Sequence, residues 1–198
     1  GRSGWRAWEY VNLASGEFGY MGANAFYNSD KATFDFTYYM QTQGYTNVDY
    51  VFINLGTNDL GRNHHNSDTD IINSYNTMIA SIKEFNPNVK ILLWLPPMRG
   101  LGMLGTSKTH TDYALRATKL FIKTFDNREN ENIFLVPVYF NIDPEHDYPY
   151  EEQPVSSRNS GFTIRYCTDM THPAVPGYYK IADVIFAYIK YMASLEAA

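Results

Sequence analysis

Apolar residues along the chain fall into short continuous runs that alternate with longer stretches in which they recur every three or four positions. Continuous runs bounded by turn residues are typical of strands covered on both faces in a parallel sheet, and they lie at about Val48–Leu55, Val89–Leu95 and Ile133–Val138. The stretches with helical spacing predict amphipathic helices, and they lie at Asp70–Phe85, Thr111–Phe125 and Val175–Met192. Strand and helix therefore alternate three times, which predicts right-handed parallel crossovers and an α/β fold, a three-layer α/β/α sandwich around a parallel sheet.

Two stretches lack this periodicity and are predicted to be loops. The Gly-, Asn- and Ser-rich stretch Ser15–Lys31 is expected to be an extended loop, and Tyr139–Thr168 a long loop that leads into the last helix. Within the second, Asp143–Gly161 is rich in acids, Pro and Tyr, so it either shapes a sugar or acyl pocket or is an ordinary surface loop. In the last helix four apolar residues are predicted to face inward: Ile181, Ile185, Tyr188 and Met192.

Composition narrows the class of protein. A chain of 198 residues is predicted to form one domain over residues 1–198, because that length buries an adequate core without disulfides. The lone Cys167 excludes an internal disulfide framework. A net charge of -5 without a basic run argues against nucleic acid as a partner, and no apolar run approaches the roughly 20 residues of a membrane span. The opening GRSGW shows no charged-then-apolar leader, so the compartment stays open, an extracellular or phage-associated location included.

The stretch VFINLGTNDLG runs from the first predicted strand directly into a polar loop. Ligands of an open α/β sheet bind in the crevice outside the carboxyl ends of its strands. Gly56, Thr57, Asn58 and Asp59 follow such an end. The Asp59 carboxylate is expected to be structural, holding the loop by accepting main-chain N–H bonds.

The stretch CTDMTHPAVPG near the last helix contains an acid and a histidine three residues apart, Asp169 and His172. A hydrolase needs an imidazole that faces the nucleophile while its other nitrogen is held by a carboxylate or carbonyl. An Asp-x-x-His turn supplies both partners. The alternative is that Asp169 caps the turn and His172 simply precedes a proline.

Together, the GTND block and the later Asp-x-x-His-Pro block resemble the SGNH hydrolase superfamily, also called GDSL-type esterases and lipases. The resemblance implies that Asn58 donates to the oxyanion, that Asp169 is the orienting acid and that His172 is the general base. The stretch GRSGWR is similar to a glycine block of carbohydrate-esterase-like members, which implies that the main-chain N–H of Gly4 is a second oxyanion donor. These residues are predicted to converge at the carboxyl edge of the sheet.

What the resemblance implies for function is cleavage of a carboxylic ester, with O-acetyl or another short acyl group on a carbohydrate favoured. It implies no cofactor and no metal. Two alternatives stay open: a lipase or acyl-thioesterase on the same machinery, and a non-catalytic carbohydrate- or partner-binding module that lost its serine. The expected partner is a small acyl ester or an acylated carbohydrate.

The nucleophile is the one block of the family that the sequence lacks, since no Gly-Asp-Ser occurs in it. Ser3 has only two residues before it, so no strand is available to present it. The serine is therefore expected upstream of Gly1, on a strand supplied by a retained N-terminal fragment or by polypeptide outside this sequence.

Other histidines carry weaker signals. His64 and His65, with Asp68 and Asp70, match no common metal-site spacing, so a solvated loop before a helix is favoured. His110 is expected on the surface or in a substrate loop.

Overall fold

The structure is a computed structural model that describes residues 4–16, 22–60, 66–100 and 108–196, with the side chains of residues 108–112 and 195–196 excepted. The helices are α1 (Ala7–Asn12), α2 (Phe36–Gln43), α3 (Asp68–Phe85), α4 (Lys108–Phe125) and α5 (Val175–Glu196). The strands are β1 (Tyr27–Asn28), β2 (Thr33–Phe34), β3 (Tyr50–Ile53), β4 (Lys90–Trp94), β5 (Ile133–Val136), β6 (Tyr150–Ser156) and β7 (Asn159–Cys167). Single turns of 3-10 helix lie at Glu129–Glu131 and Val138–Asn141.

The chain divides into two compact units. The first comprises Gly1–Trp94 and Lys119–Leu135, and the second comprises Leu95–Thr118 and Val136–Ala198. That residues 1–198 form a single SGNH-type domain stays a prediction.

The central feature of the first unit is a parallel sheet with the strand order β3-β4-β5. Val51 of β3 pairs with Ile91 of β4, and the N–H of Ile91 donates to the carbonyl of Asn132, just before β5, at 2.9 Å. The three strands lie within the predicted runs. The predicted succession of strand, helix, strand, helix, strand, helix is confirmed as β3, α3, β4, α4, β5 and α5.

Helix α3 supplies the core beside this sheet. Its N-terminus is a capping box: Ser67 Oγ accepts from the Asp70 N–H at 3.1 Å, and the Asp70 carboxylate accepts from the Ser67 N–H at 2.9 Å. The box explains why the helix begins at Asp68, two residues before the predicted start at Asp70. Its inner face includes Tyr75, which is fully buried against Phe121 with ring centroids 4.7 Å apart.

Several short elements before β3 are absent from the sequence prediction. Helices α1 and α2 span six and eight residues, too few turns for a clear apolar period. Local hydrogen bonds define α2 instead: the Asp35 carboxylate caps its start by accepting from the Tyr38 N–H at 2.9 Å, and Gly44 ends it at a φ of 74°.

The prediction of one long loop over Tyr139–Thr168 is wrong for its second half, where β6 and β7 form an antiparallel hairpin. A tight turn closes it between the paired residues Ser156 and Asn159. Pairs across the two strands favour the hairpin: Thr163 Oγ1 donates to Glu152 at 3.0 Å, and the Arg165 guanidinium lies 4.3 Å from the Tyr150 ring centroid. Acidic residues and a proline within β6 conceal its strand pattern.

Strand β3 was predicted to be covered on both faces, and this prediction is wrong for the described residues. Ile53 is buried, but Phe52 on the opposite face is 37% exposed. One edge of β3 pairs with β4, and no described strand pairs with the other. A sequence pattern typical of a central strand is therefore found in a strand with one edge that no described strand covers.

Helix α5 of the second unit buries only part of the apolar face that the sequence predicts. Ile181 and Met192 are buried as predicted, whereas Ile185 and Tyr188 are half-buried. Among the described helices, none combines the length and hydropathy that crossing a membrane demands.

Candidate active site

The loop after β3 is fixed by the carboxylate of Asp59, which is completely buried. One oxygen accepts from the N–H of Ala7 at 2.9 Å and of Gly56 at 3.2 Å, and the other accepts from the N–H of Trp8 at 3.2 Å. The expectation that Asp59 holds the loop by accepting main-chain N–H bonds is confirmed. Its bonds join the GTND loop to the first turn of α1.

A tight backbone turn brings the loop to this position. Gly56 has a φ of 98°, which a residue with a side chain adopts only under strain. A Cβ at Gly56 would also lie 3.1 Å from Cζ of the buried Phe121. Glycine is required here by conformation and by space.

The loops that carry the two proposed oxyanion donors are joined by a hydrogen bond in the first unit. The side-chain amide of Asn58 donates to the carbonyl of Trp5 at 3.2 Å, and Gly4, the residue before Trp5, has a φ of 77°. An amide nitrogen carries two hydrogens, so this bond orients Asn58 and leaves its second N–H for a ligand. The sequence prediction paired these residues only through motifs, and the structure joins their loops directly.

We expect Asp59→Asn to lower the free energy of unfolding by about 1–3 kcal/mol. Burial raises the pKa of Asp59, while the N–H groups of Ala7 and Trp8 act in the opposite direction. Asparagine removes the buried charge but offers one oxygen where both accept, so at least one main-chain N–H faces an NH₂ group instead. Urea unfolding measures the loss.

Asp126→Asn is the control, because Asp126 is exposed just beyond α4 and its replacement should change stability by less than about 0.5 kcal/mol. Equal stabilities of the two variants would contradict the anchoring role of Asp59.

The Asp-x-x-His turn of the second unit has the geometry that a general base needs. His172 Nδ1 lies 2.8 Å from an oxygen of Asp169, whose other oxygen accepts from the N–H of Thr171 at 2.8 Å and of His172 at 3.0 Å. Since an ionised carboxylate only accepts, Nδ1 carries the proton and Nε2 is left as the basic nitrogen. The side chains are 65% exposed for His172 and 41% for Asp169.

The Asp169 carboxylate is held in its ionised form. Burial raises its pKa, but the N–H and ring of His172, together with the N–H of Thr171, outweigh it and hold the pKa of Asp169 below its usual value. Asp169 also caps the turn: one oxygen accepts from the main chain and the other contacts the ring.

A second Asp-x-x-His turn, missed by the motif reading, lies at Asp143–His146. His146 Nδ1 is 2.8 Å from an Asp143 oxygen, with side-chain exposures of 61% and 41%. The same spacing in DPEH was a signal that could have found it. It lacks the following proline and helix that accompany His172.

Several candidate residues lie outside the described part of the structure: Ser3, His64, His65 and the side chain of His110. The described residues contain no group of three or more His, Cys, Asp or Glu side chains that could hold a metal ion. The structure joins the Gly4 and Asn58 loops in one unit, and Asp169 with His172 in the other. Convergence of the two pairs stays a prediction.

Comparisons with known proteins bear on the fold and on the family. No curated protein matches the chain. Among solved structures, the crystal structure of a possible lipase from Chitinophaga pinensis DSM 2588 is similar, with 18% identity, a TM-score of 0.50, and coverage of 78% of this chain and 77% of that one. This likeness supports the predicted α/β fold.

The family model of the GDSL-like Lipase/Acylhydrolase family matches residues 1–179, which include every site residue named above. The matched range covers both the GTND loop and the Asp-x-x-His turn. The chain belongs to the GDSL-like Lipase/Acylhydrolase family, a family of ester-cleaving hydrolases.

Proposed function

We propose that this chain carries the oxyanion donors and the acid–base pair of a serine esterase that removes a short acyl group, such as acetyl, from a carbohydrate. The observation that carries the proposal is the Asp169–His172 pair: the ring is held at Nδ1 by a carboxylate at 2.8 Å, and its imidazole is exposed. His146 makes the same contact with Asp143, and His172 is preferred as the base because a proline and then α5 follow it directly.

The reaction assigns one step to each group. His172 Nε2 takes the proton of the serine hydroxyl as the oxygen attacks the ester carbonyl, and Asp169 stabilises the imidazolium. The carbonyl oxygen becomes negative and accepts hydrogen bonds from the Gly4 N–H and the free N–H of Asn58. Collapse breaks the ester bond, and the alcohol leaves with the proton from His172. Water then repeats the sequence on the acyl-serine, releasing the acid and restoring the serine.

The serine, in this proposal, lies on a strand that precedes Gly1 and pairs with the open edge of β3. The carbonyl of Asp49 accepts from Lys90 of β4 at 2.9 Å. Main-chain direction alternates along a strand, so the N–H and C=O of Phe52 point to the other edge. An exposed edge of this kind can pair with another strand, and a strand there would also cover the Phe52 ring, which is 37% exposed.

A cavity beside β3 supports the same position. Its volume is about 520 Å³. One side is formed by residues 51–55 of β3 and the loop after it, and the rest of the lining is apolar or aromatic: Tyr10, Phe26, Phe34, Phe36, Met78 and Ile82. A parallel strand in this place would end at the same edge as β3, where the GTND loop begins.

The carbohydrate preference is supported by one tryptophan and not by the other. Trp5 is 2% exposed and packs against Tyr10 with ring centroids 5.0 Å apart, so it belongs to the core. Trp8 is half-buried, its main-chain N–H donates to Asp59, and the Arg6 guanidinium lies 5.2 Å from its ring centroid. Trp8 is therefore the aromatic ring of the GRSGWRAW stretch that can stack on a sugar.

We expect a fluorophosphonate, which reacts with activated serines, to label the purified full-length protein on a residue that precedes Gly1. Intact-mass analysis and N-terminal sequencing locate that segment and show whether it is continuous with Gly1 or a retained fragment. A folded polypeptide that starts at Gly1, alone and unlabelled, would contradict the proposal and favour the binding module.

A panel of esters of increasing acyl length separates the esterase from a lipase or acyl-thioesterase. The proposal expects kcat/KM to be highest for acetyl, and a maximum at long chains or thioesters would assign the alternative.

A further inference from the structure

We propose that Asp147 is a positioning residue for His172, acting with Pro149 as a brace that fixes both ends of the Asp-x-x-His turn. The inference rests on the proposed function of His172. It concerns a segment that the sequence assigns to a loop, and that contains no residue of the family's motifs.

The main-chain carbonyls of the brace hold the turn on both sides. Before Asp169, the N–H of Thr168 donates to the carbonyl of Pro149 at 3.0 Å, and its hydroxyl donates to the same oxygen at 3.3 Å. After His172, the N–H of Ala174 donates to the carbonyl of Asp147 at 2.7 Å. Two acceptors that are two residues apart therefore bracket the turn that carries the general base.

The side chain of Asp147 fixes the brace in turn. Its carboxylate is buried and accepts from the N–H of Asp143 at 2.7 Å and from Nζ of Lys180 at 2.8 Å. Lys180 belongs to α5, the helix that follows His172. One carboxylate thus ties the brace to the elements on both sides of it in the second unit.

The first turn of α5 packs directly on the same residue. A Cβ at Gly177 would lie 2.7 Å from the carbonyl oxygen of Asp147 and 3.0 Å from its Cβ. Such a contact requires either glycine or a displaced helix. The carbonyl that accepts from Ala174 is therefore held at close range from two directions.

This anchoring matters because the imidazole has little packing of its own. His172 is 65% exposed, so its position depends on Asp169 and on the backbone of the turn. A displacement of about 1 Å at a catalytic group can cost about 100-fold in rate. Asp147 influences that position without touching the reacting atoms.

The first experiment compares Asp147→Asn with Asp35→Asn in the full-length protein. Asp35 is a matched control, because it too is a buried carboxylate that pairs with a partly exposed lysine at 2.8 Å. The side chains are 6% exposed for Asp35 and 55% for Lys31, and 3% for Asp147 and 46% for Lys180. We expect Asp147→Asn to lower kcat by about 10- to 100-fold with KM within about twofold. Asp35→Asn should leave both unchanged, and Lys180→Arg should retain kcat. An unchanged kcat in a folded Asp147→Asn variant would overturn the proposal.

The second experiment does not depend on turnover and so separates this inference from the proposed function. Nitrogen chemical shifts of the His172 ring and amide exchange at Ala174 are recorded by NMR, in a His146→Ala background so that one Asp–His pair contributes. We expect Asp147→Asn to shift the ring signals and to speed exchange at Ala174, and Asp35→Asn to do neither. If both signals stay as in the parent protein, the brace is refuted. If Asp147→Asn does not fold, Lys180→Met, which removes one of the two donors to the carboxylate, is held to the same two readouts.

Discussion

His172→Ala is expected to abolish ester hydrolysis, reducing kcat/KM on the order of 10⁴-fold or more. Among the described residues, His172 is the histidine whose ring contacts Asp169. Without its Nε2, the proton of the serine has no acceptor. The loss should appear in kcat, because the imidazole acts on the transferring proton and contributes little to ground-state binding. Steady-state kinetics of the full-length protein on an acetyl ester measure it.

His146→Ala is the matched control for this variant. His146 and His172 share the spacing to the acid, the 2.8 Å contact through Nδ1 and nearly equal exposure, so the two substitutions remove equivalent side chains. Activity should survive in His146→Ala. A loss confined to His146→Ala would move the general base to the second turn, and full activity in both variants would exclude an Asp-x-x-His mechanism.

The parallel α/β core could be read from the sequence because its elements are long and their patterns are regular. Helix α3 repeats its apolar positions over five turns, and β4 is apolar from Ile91 to Trp94, so local pattern and burial agree. The hairpin β6–β7 could not be read this way. Its strands are largely exposed on both faces, so their pairing depends on cross-strand contacts that leave no apolar alternation.

The residues of the candidate site also differ in how far the sequence predicts them. The Asp169–His172 contact follows from short-range geometry, for which three residues of spacing suffice. The role of Asp59 follows only in part, because Gly56 lies in the same loop whereas Ala7 and Trp8 are 52 and 51 residues away. Asp147 could not be found, because its partners Ala174 and Lys180 are distant along the chain and its carbonyl acts through main-chain hydrogen bonds, which any residue type can make. The second Asp-x-x-His turn shows the opposite difficulty. A motif with only two fixed residues also occurs where the proline and helix that follow His172 are absent.

Asn58→Ala is expected to slow turnover by about 10²- to 10³-fold with a smaller change in KM. The amide is preset by its bond to the Trp5 carbonyl, and its second N–H meets a full negative charge only when the tetrahedral intermediate forms. Its stabilisation is therefore greater in the transition state than in the bound ester. Measuring kcat and KM separately on the same acetyl ester tests this split.

Asn24→Ala controls for the loss of an amide that braces α1, since the buried Asn24 Nδ2 donates to the carbonyls of Tyr10 and Leu13 at 2.9 Å each. Both amides bind main-chain carbonyls near this helix, but only Asn58 follows β3. Asn24→Ala should lower stability by about 1–3 kcal/mol and leave kcat unchanged. Equal rates in Asn58→Ala and the parent protein would remove Asn58 from the oxyanion site, whereas equal losses in both variants would show that the amide acts by holding α1 and the Gly4 turn in place.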